Sequence, residues 1–131
     1  MTPDGGGSAS KRPQRVQIFG RRDSRETQRA SRFFKERRVE VSLVDVAVRP
    51  PAPTELRRFI QRLGAAALLD TSGRLYQEQG LANLRMNEAE VADRLIFDPR
   101  LVRLPLVRMG ERASAGPDEP AWRRWLAEDG R

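Results

Sequence analysis

The sequence predicts an α/β fold in which an opening β-α-β unit and a closing β-β-α unit share a mixed four-stranded sheet. Two β-rich runs, residues 15–19 and 39–46, flank a segment whose apolar residues recur with helical spacing. Residues 104–107 and 112–115 form the two arms of a predicted hairpin, which is followed by a final helical segment. These observations fix the class of the fold and the order of its elements.

The opening unit contains a strand, a break and a signal for a helix start. A glycine followed by two arginines ends the first strand, and Asp23 stands three positions before Glu26, the spacing of a capping box. Ala30, Phe33 and Phe34 then lie on one helical face. Because a β-rich run follows this helix, we expect the two strands to be parallel neighbours.

The central region is expected to be helical after a proline-rich connector, residues 49–53, that cannot itself form a helix. One helix is predicted from Thr54, and a later one from a second capping box that begins at Asn87. The last helix of the chain is expected to bury Trp122 and Trp125 as core anchors.

This order of elements is typical of a thioredoxin-like fold with a helical insertion, here over about residues 54–98. Residues 1–14 contain glycine, serine, proline and charged residues but few apolar side chains. Such a segment cannot bury enough surface to offset its ordering entropy, so we predict a disordered tail. Residues 15–131 are then the folded domain.

The composition excludes some chemistry. Cysteine and histidine are absent from all 131 residues. As written, the chain can neither perform thiol redox chemistry nor bind a metal through these side chains, and no metal site is predicted. No segment has the apolar core of a signal peptide or the roughly 18 consecutive apolar residues of a membrane span. We therefore expect a cytoplasmic protein with no membrane partner.

The positive charge is concentrated near the amino end. The net charge is +7, and residues 11–38 carry eleven Lys or Arg side chains against three acidic ones. Arginine outnumbers lysine 23 to 2, and a guanidinium suits phosphate or carboxylate recognition. The segment predicts an anionic partner such as nucleic acid, with a merely solvated charged face as the alternative.

An ordered set of short motifs runs through the chain: Ile18-Phe19-Gly20-Arg21-Arg22-Asp23-Ser24, Arg49-Pro50-Pro51, Leu68-Leu69 before Tyr76-x-x-x-Gly80-Leu81, Asp98-Pro99-x-Leu101 and Pro105-Leu106-Val107. With these motifs and their spacing, the chain resembles the arsenate reductase family of the ArsC/Spx type, which has a glutaredoxin-like, thioredoxin-type fold. The resemblance implies descent from oxidoreductases that use glutathione or thioredoxin as reductant, with no other cofactor.

The resemblance places the family's nucleophilic cysteine at Ser24, and the C-x-x-S/T pattern then extends to Thr27. It also implies that Pro105 is a cis-proline facing the nucleophile loop. A helix amino end stabilises a thiolate, but a serine hydroxyl is a far weaker acid and needs an adjacent base. Ser24 is therefore interpreted either as a helix cap or as a residue that replaces a native cysteine or selenocysteine.

The arsenate site of the resembling reductases uses three arginines. Their positions correspond to Asp70, Leu104 and Gly116 in this chain, so none is arginine, although Arg103 lies one residue before one of them. We therefore predict that the chain does not reduce arsenate. A smaller anion pocket is predicted at the amino end of the first helix, lined by Arg21, Arg22, Arg25 and Arg103.

Three classes of function remain open. The first is an oxidoreductase relative, inactive as written, whose native residue at position 24 is a thiol or selenol coupled to glutathione or thioredoxin. The second is a non-enzymatic regulator that binds RNA polymerase, as the Spx branch does. The third is binding of an anion or nucleic acid by residues 11–38. In each case we expect a monomer.

Overall fold

The computed structural model describes residues 14–129, and four strands within that range form one mixed sheet. The strands are β1 (Arg15–Gly20), β2 (Glu40–Asp45), β3 (Leu106–Met109) and β4 (Arg112–Ala115), in the order β2-β1-β3-β4. β1 and β2 are parallel, whereas β3 is antiparallel to both β1 and β4. The predicted class and element order are confirmed. Of the predicted disordered tail, all but Gln14 lies outside the described residues.

Six helices surround the sheet in the described part of the chain: α1 (Arg25–Glu36), α2 (Pro53–Leu63), α3 (Ala65–Leu68), α4 (Arg74–Glu78), α5 (Glu88–Phe97) and α6 (Glu119–Asp129). Short 3₁₀ turns cover Leu81–Asn83 and Pro99–Leu101. None of these described helices is long and apolar enough to cross a membrane.

Two helix starts differ from the sequence-based expectation by one residue. α1 is capped by Ser24 and not by Asp23, and α2 begins at Pro53 and not at Thr54. Proline is tolerated in the first helical position because its missing N–H would have no partner there. The capping box predicted from Asn87 is confirmed, with Glu90 N donating to Asn87 Oδ1 at 2.8 Å.

The sheet separates two hydrophobic cores, because alternate side chains of a strand point to opposite faces. Val16 and Ile18 of β1 pack on the side of α1 and α6, while Phe19 packs on the side of α2 and α5. In the first core the Phe33 and Trp122 ring centroids are 5.5 Å apart, and both predicted tryptophan anchors are buried. Because β1 contributes side chains to both cores, packing on its two faces positions the end of β1 next to the start of α1.

Candidate functional site

The amino end of α1 lies directly after the carboxyl end of β1, at one edge of the sheet. Ser24 is the N-cap, with extended backbone angles (φ −80°, ψ 135°), and its Oγ accepts a hydrogen bond from Thr27 N at 3.3 Å. This bond satisfies one of the backbone donors that a helix start leaves free. The sequence-based interpretation of Ser24 as a cap therefore agrees with its geometry.

The Ser24 hydroxyl also donates to a carboxylate, which is that of Glu26 at 3.1 Å. Asp23, the acidic residue adjacent in sequence, instead has its Oδ1 3.5 Å from Arg21 Nε. Glu26 is exposed, and the Ser24 hydroxyl is the one hydrogen-bond partner of its carboxylate among residues 14–129. A serine nucleophile needs a general base that a third group orients, and among residues 14–129 no third group bonds the Glu26 carboxylate.

Thr27 lies beneath the loop, packed against the end of β1. A Cβ atom built on Gly20 would approach Thr27 Cγ2 to 2.8 Å, so the glycine permits this close approach. Thr27 is fully buried, and its Oγ1 has no hydrogen-bond partner within the described residues. A buried hydroxyl without a partner is destabilising, which makes Thr27 a sensitive position.

Thr27→Val is expected to raise the free energy of unfolding by about 1 kcal/mol, because valine keeps the shape of threonine and removes the unpartnered hydroxyl. Urea unfolding followed by circular dichroism measures this change. Thr54→Val, at an exposed site in α2, is the matched control and should change stability by no more than about 0.5 kcal/mol. A loss of stability in Thr27→Val would show that the hydroxyl is hydrogen-bonded in solution.

Of the arginines predicted around the helix start, Arg21 and Arg22 line different concavities, and carboxylates already contact both of them. Arg21 faces Asp23, and Arg22 Nε lies 3.7 Å from Asp45 Oδ2 at the end of β2. Arg25 is exposed and forms no ion pair within residues 14–129. The positive charge available to a ligand at this end is therefore smaller than the sequence suggested.

Pro105 and Arg103 lie in the segment just before β3, which pairs with β1. The Leu104–Pro105 peptide bond is cis, as the resemblance implied, and the position next to it pairs with β1. The Arg103 side chain extends across Gly116, where a Cβ atom would lie 2.9 Å from the Arg103 Cζ atom. Gly116 also has a φ of +76°, which disfavours any side chain there. A functional role for Pro105 or Arg103 stays a prediction.

The other two positions of the missing oxyanion arginines are equally unsuited to an anion. Asp70 accepts a hydrogen bond from Ser72 Oγ at 3.2 Å, within its own turn. Leu104 contributes an apolar side chain next to the cis-proline.

Among residues 14–129, no three Cys, His, Asp or Glu side chains are placed to hold a metal ion.

A groove of about 540 Å³ adjoins this loop, and sequence reasoning did not identify it. Most of its wall is apolar, but it also includes Arg21 and the pair Asp98–Arg100; its lining residues are Arg21, Val46, Ala47, Pro50, Pro51, Asp98, Pro99, Arg100 and Leu104. Two motifs that carried the family resemblance, the double proline and Asp98-Pro99, form this wall. The only sign of the groove in the sequence was that both motifs belong to the set on which the family resemblance depends.

The acidic group of the groove is held in its charged form. Asp98 accepts hydrogen bonds from Arg100 Nε and Nη2, both at 2.9 Å, and from Gln79 Nε2 at 3.3 Å. The Arg100 side-chain hydrogen bonds lower the pKa of Asp98 below its ordinary value of 3.8 despite the opposing effect of burial. The same bonds raise the pKa of Arg100.

Asp98→Asn is expected to lower stability by about 1 kcal/mol at pH 7, because a charged acceptor bonds Arg100 more strongly than an amide does. Since folding depresses the pKa of Asp98, its contribution is complete above pH 3.8 and is lost as pH falls through the folded value. Urea unfolding of the unaltered chain and of Asp98→Asn, measured from pH 7 down to pH 3, should therefore show that the difference between their free energies of unfolding becomes smaller as the pH falls.

The control for this experiment is Asp93→Asn, an exposed carboxylate on α5. It should show a small difference that does not vary in the same way with pH. A difference for Asp98→Asn that stays constant down to pH 3 would assign its effect to side-chain shape and not to charge.

Known proteins resemble this chain in sequence and in fold. The model of the ArsC family matches residues 19–125. YusI of Bacillus subtilis, described as uncharacterized, is 28% identical over 92 residues, covering 67% of this chain and 78% of YusI. An ArsC family related protein from Bacteroides fragilis has a TM-score of 0.73 at 23% identity, covering 83% of this chain and 95% of its own. An arsenate reductase from Vibrio cholerae has a TM-score of 0.71 at 17% identity, covering 88% and 98%.

Proposed function

This chain belongs to the ArsC family, and from that premise we propose that it is a thiol-free member that binds a small peptide-like anion and performs no redox turnover. The ligand class is that of glutathione. The observation that carries the proposal is the Ser24 hydroxyl, which caps α1 and donates to Glu26. Both bonds belong to the folded scaffold, so the hydroxyl is a structural group.

The proposed inactivity follows from what thiol chemistry requires. A disulfide exchange step needs a thiolate as nucleophile, and the chain contains no cysteine. Arsenate would also lack its clamp, because Asp70, Leu104 and Gly116 replace the three family arginines. Either deficiency alone prevents the reaction that an arsenate reductase performs.

The proposed binding follows from the groove beside the loop. Its apolar wall can cover the backbone of a short peptide, while the exposed Arg21 and Arg100 guanidinium groups can meet carboxylates. Both arginines already contact aspartates, so a ligand must compete with Asp23 and Asp98. We therefore expect weak binding, with a dissociation constant in the range of about 0.1 to 10 mM.

The test measures binding and turnover by the unaltered chain. In nuclear magnetic resonance titration, reduced glutathione should shift amide signals around Arg21, Val46 and Leu104, and Arg21→Gln should weaken binding several-fold. Arg57→Gln, an exposed arginine of α2 outside the groove, should leave binding unchanged. A glutathione-coupled assay should show no arsenate-dependent turnover.

Each result has a defined opposite. Arsenate or disulfide turnover by the chain as written would refute the proposed inactivity. Glutathione shifts that are absent, or equal in both arginine variants, would refute the proposed groove. A cytoplasmic, monomeric protein is the expectation that accompanies this function.

The alternative redox function requires a thiol or selenol at position 24 in the native protein. The encoding gene decides it, because a cysteine codon or an in-frame stop codon at position 24 would support it. A plain serine codon would exclude it. Binding to RNA polymerase rests on the resemblance to the Spx branch alone and stays a prediction.

The outer face of α1 favours a second candidate, the binding of a polyanion such as nucleic acid. Arg25, Arg29 and Arg32 are exposed at helical spacings of four and three residues and form no ion pairs within residues 14–129. Like charges at these spacings repel each other, so a bound polyanion would relieve the repulsion. Affinity for single-stranded DNA that falls steeply with salt, and is lost in Arg25→Gln/Arg29→Gln, would support this candidate.

A further inference from the structure

A second basic concavity lies at the opposite end of the sheet from Ser24. It is a cleft of about 390 Å³ between the carboxyl half of α2 and the β3–β4 hairpin. Because β3 is antiparallel to β1, the hairpin turn at Gly110 lies beside the start of β1, away from Gly20. The family's nucleophile position therefore takes no part in this cleft.

Arginines from three separate elements line the cleft. Arg58 and Arg62 lie one turn apart on α2, and Arg108 comes from β3. Arg108 follows Leu106 by two residues, so it shares the strand face that packs towards α2. A half-buried guanidinium on a core-facing strand position is unfavourable unless a partner compensates it.

Carboxylates compensate this charge only in part. Arg108 Nε contacts Gly110 O at 3.4 Å, and neither Arg108 nor Arg58 forms an ion pair in the described part of the chain. Arg62 is paired with Glu111 at the hairpin tip. A fourth arginine, Arg112, also borders the cleft but is already paired with two carboxylates of α6.

We propose that this cleft binds a small ligand carrying two or more phosphate charges, with Arg58 and Arg108 as its anchors. One guanidinium group can donate two parallel hydrogen bonds to the oxygens of a phosphate. Two guanidinium groups from different elements can therefore fix the orientation of a diphosphate group. Within residues 14–129, Glu111 is the one carboxylate that lines the cleft, and it competes with the ligand for Arg62. The inference is independent of the glutathione groove proposed above.

The experiment is isothermal titration of the full chain with inorganic pyrophosphate at low ionic strength. Arg58→Gln/Arg108→Gln should weaken binding at least tenfold, because it removes the two cleft guanidinium groups that pair with no carboxylate in the described part of the chain. Arg57→Gln is the control, since it removes one guanidinium charge from the position of α2 adjacent to Arg58, outside the cleft. It should change the dissociation constant by less than twofold.

Glu111→Gln supplies a test of opposite sign. The Glu111 side chain is 86% exposed, so its replacement should not disturb folding. It releases Arg62 and should tighten pyrophosphate binding threefold or more. This variant keeps the proposal testable even where the double arginine variant fails to fold.

Several outcomes would overturn the proposal. These are no measurable pyrophosphate binding, equal losses in Arg57→Gln and the double variant, or weaker binding in Glu111→Gln. Loss of binding in Arg25→Gln/Arg29→Gln would assign the anion to α1 instead. Tight binding of a single-stranded oligonucleotide without pyrophosphate binding would identify a nucleic-acid surface and also contradict the proposal.

Discussion

Gly20→Ala is expected to lower the free energy of unfolding by about 2 to 3 kcal/mol, in the upper part of the range of about 1 to 3 kcal/mol found when extra carbon atoms overfill a packed site. The added Cβ atom would lie 2.8 Å from Thr27 Cγ2, and Thr27 is fully buried. Thr27 cannot move aside freely, because it belongs to the first turn of α1 beneath the loop. Either β1 or the start of α1 must therefore shift.

A double-mutant cycle identifies the cause of this loss. Thr27→Ala should be destabilising in the wild-type background. It should nevertheless recover part of the stability lost in Gly20→Ala, because it removes Oγ1 and Cγ2, the two Thr27 atoms nearest to the added Cβ. Gly80→Ala is the control, since Gly80 has a φ of +66° and open space around its Cα. It should cost about 1 kcal/mol from backbone strain alone, with no recovery by Thr27→Ala. Additive effects of Gly20→Ala and Thr27→Ala would contradict the proposed contact.

Ser24→Cys is expected to give the chain its first thiol reactivity. The new thiolate would attack a sulfur of oxidised glutathione, forming a protein–glutathione disulfide and releasing one glutathione thiolate. The amino end of α1 would favour that thiolate, whereas the nearby Glu26 carboxylate would oppose it. Mass spectrometry should show one glutathione adduct on the variant and none on the unaltered chain.

The opposing carboxylate can be tested in the same background. Adding Glu26→Gln should raise the rate of adduct formation at pH 7 by about two- to tenfold, because a smaller negative potential increases the thiolate fraction. Glu36→Gln, at the other end of α1, should leave the rate unchanged. We also expect no arsenate reduction by Ser24→Cys, since the positions to which the resemblance assigns the family's arginines are still Asp70, Leu104 and Gly116. Arsenate turnover by this variant would refute that interpretation.

The strands and the main helices could be predicted because their signals are local. The alternation in β1, the spacing of Phe33 and Phe34 on α1, and the capping box at Asn87 each lie within one element. Helix starts were less certain, because several neighbouring polar residues can cap a helix. Asp23 and Ser24 were both suitable, and the structure has Ser24 as the cap, with its carbonyl accepting from Gln28 N at 3.0 Å and its Oγ accepting from Thr27 N.

The sequence by itself determined that the chain has no thiol or imidazole and that its elements follow the order β-α-β, several helices, then β-β-α. Composition and periodicity establish these properties without reference to any distant contact. The tertiary structure alone decided which arginines are available, because Arg22 meets Asp45 and Arg62 meets Glu111 across long stretches of chain. It alone placed the Arg103 side chain over Gly116. The charge and shape of a site depend on such distant partners, and no local pattern in the sequence specifies them.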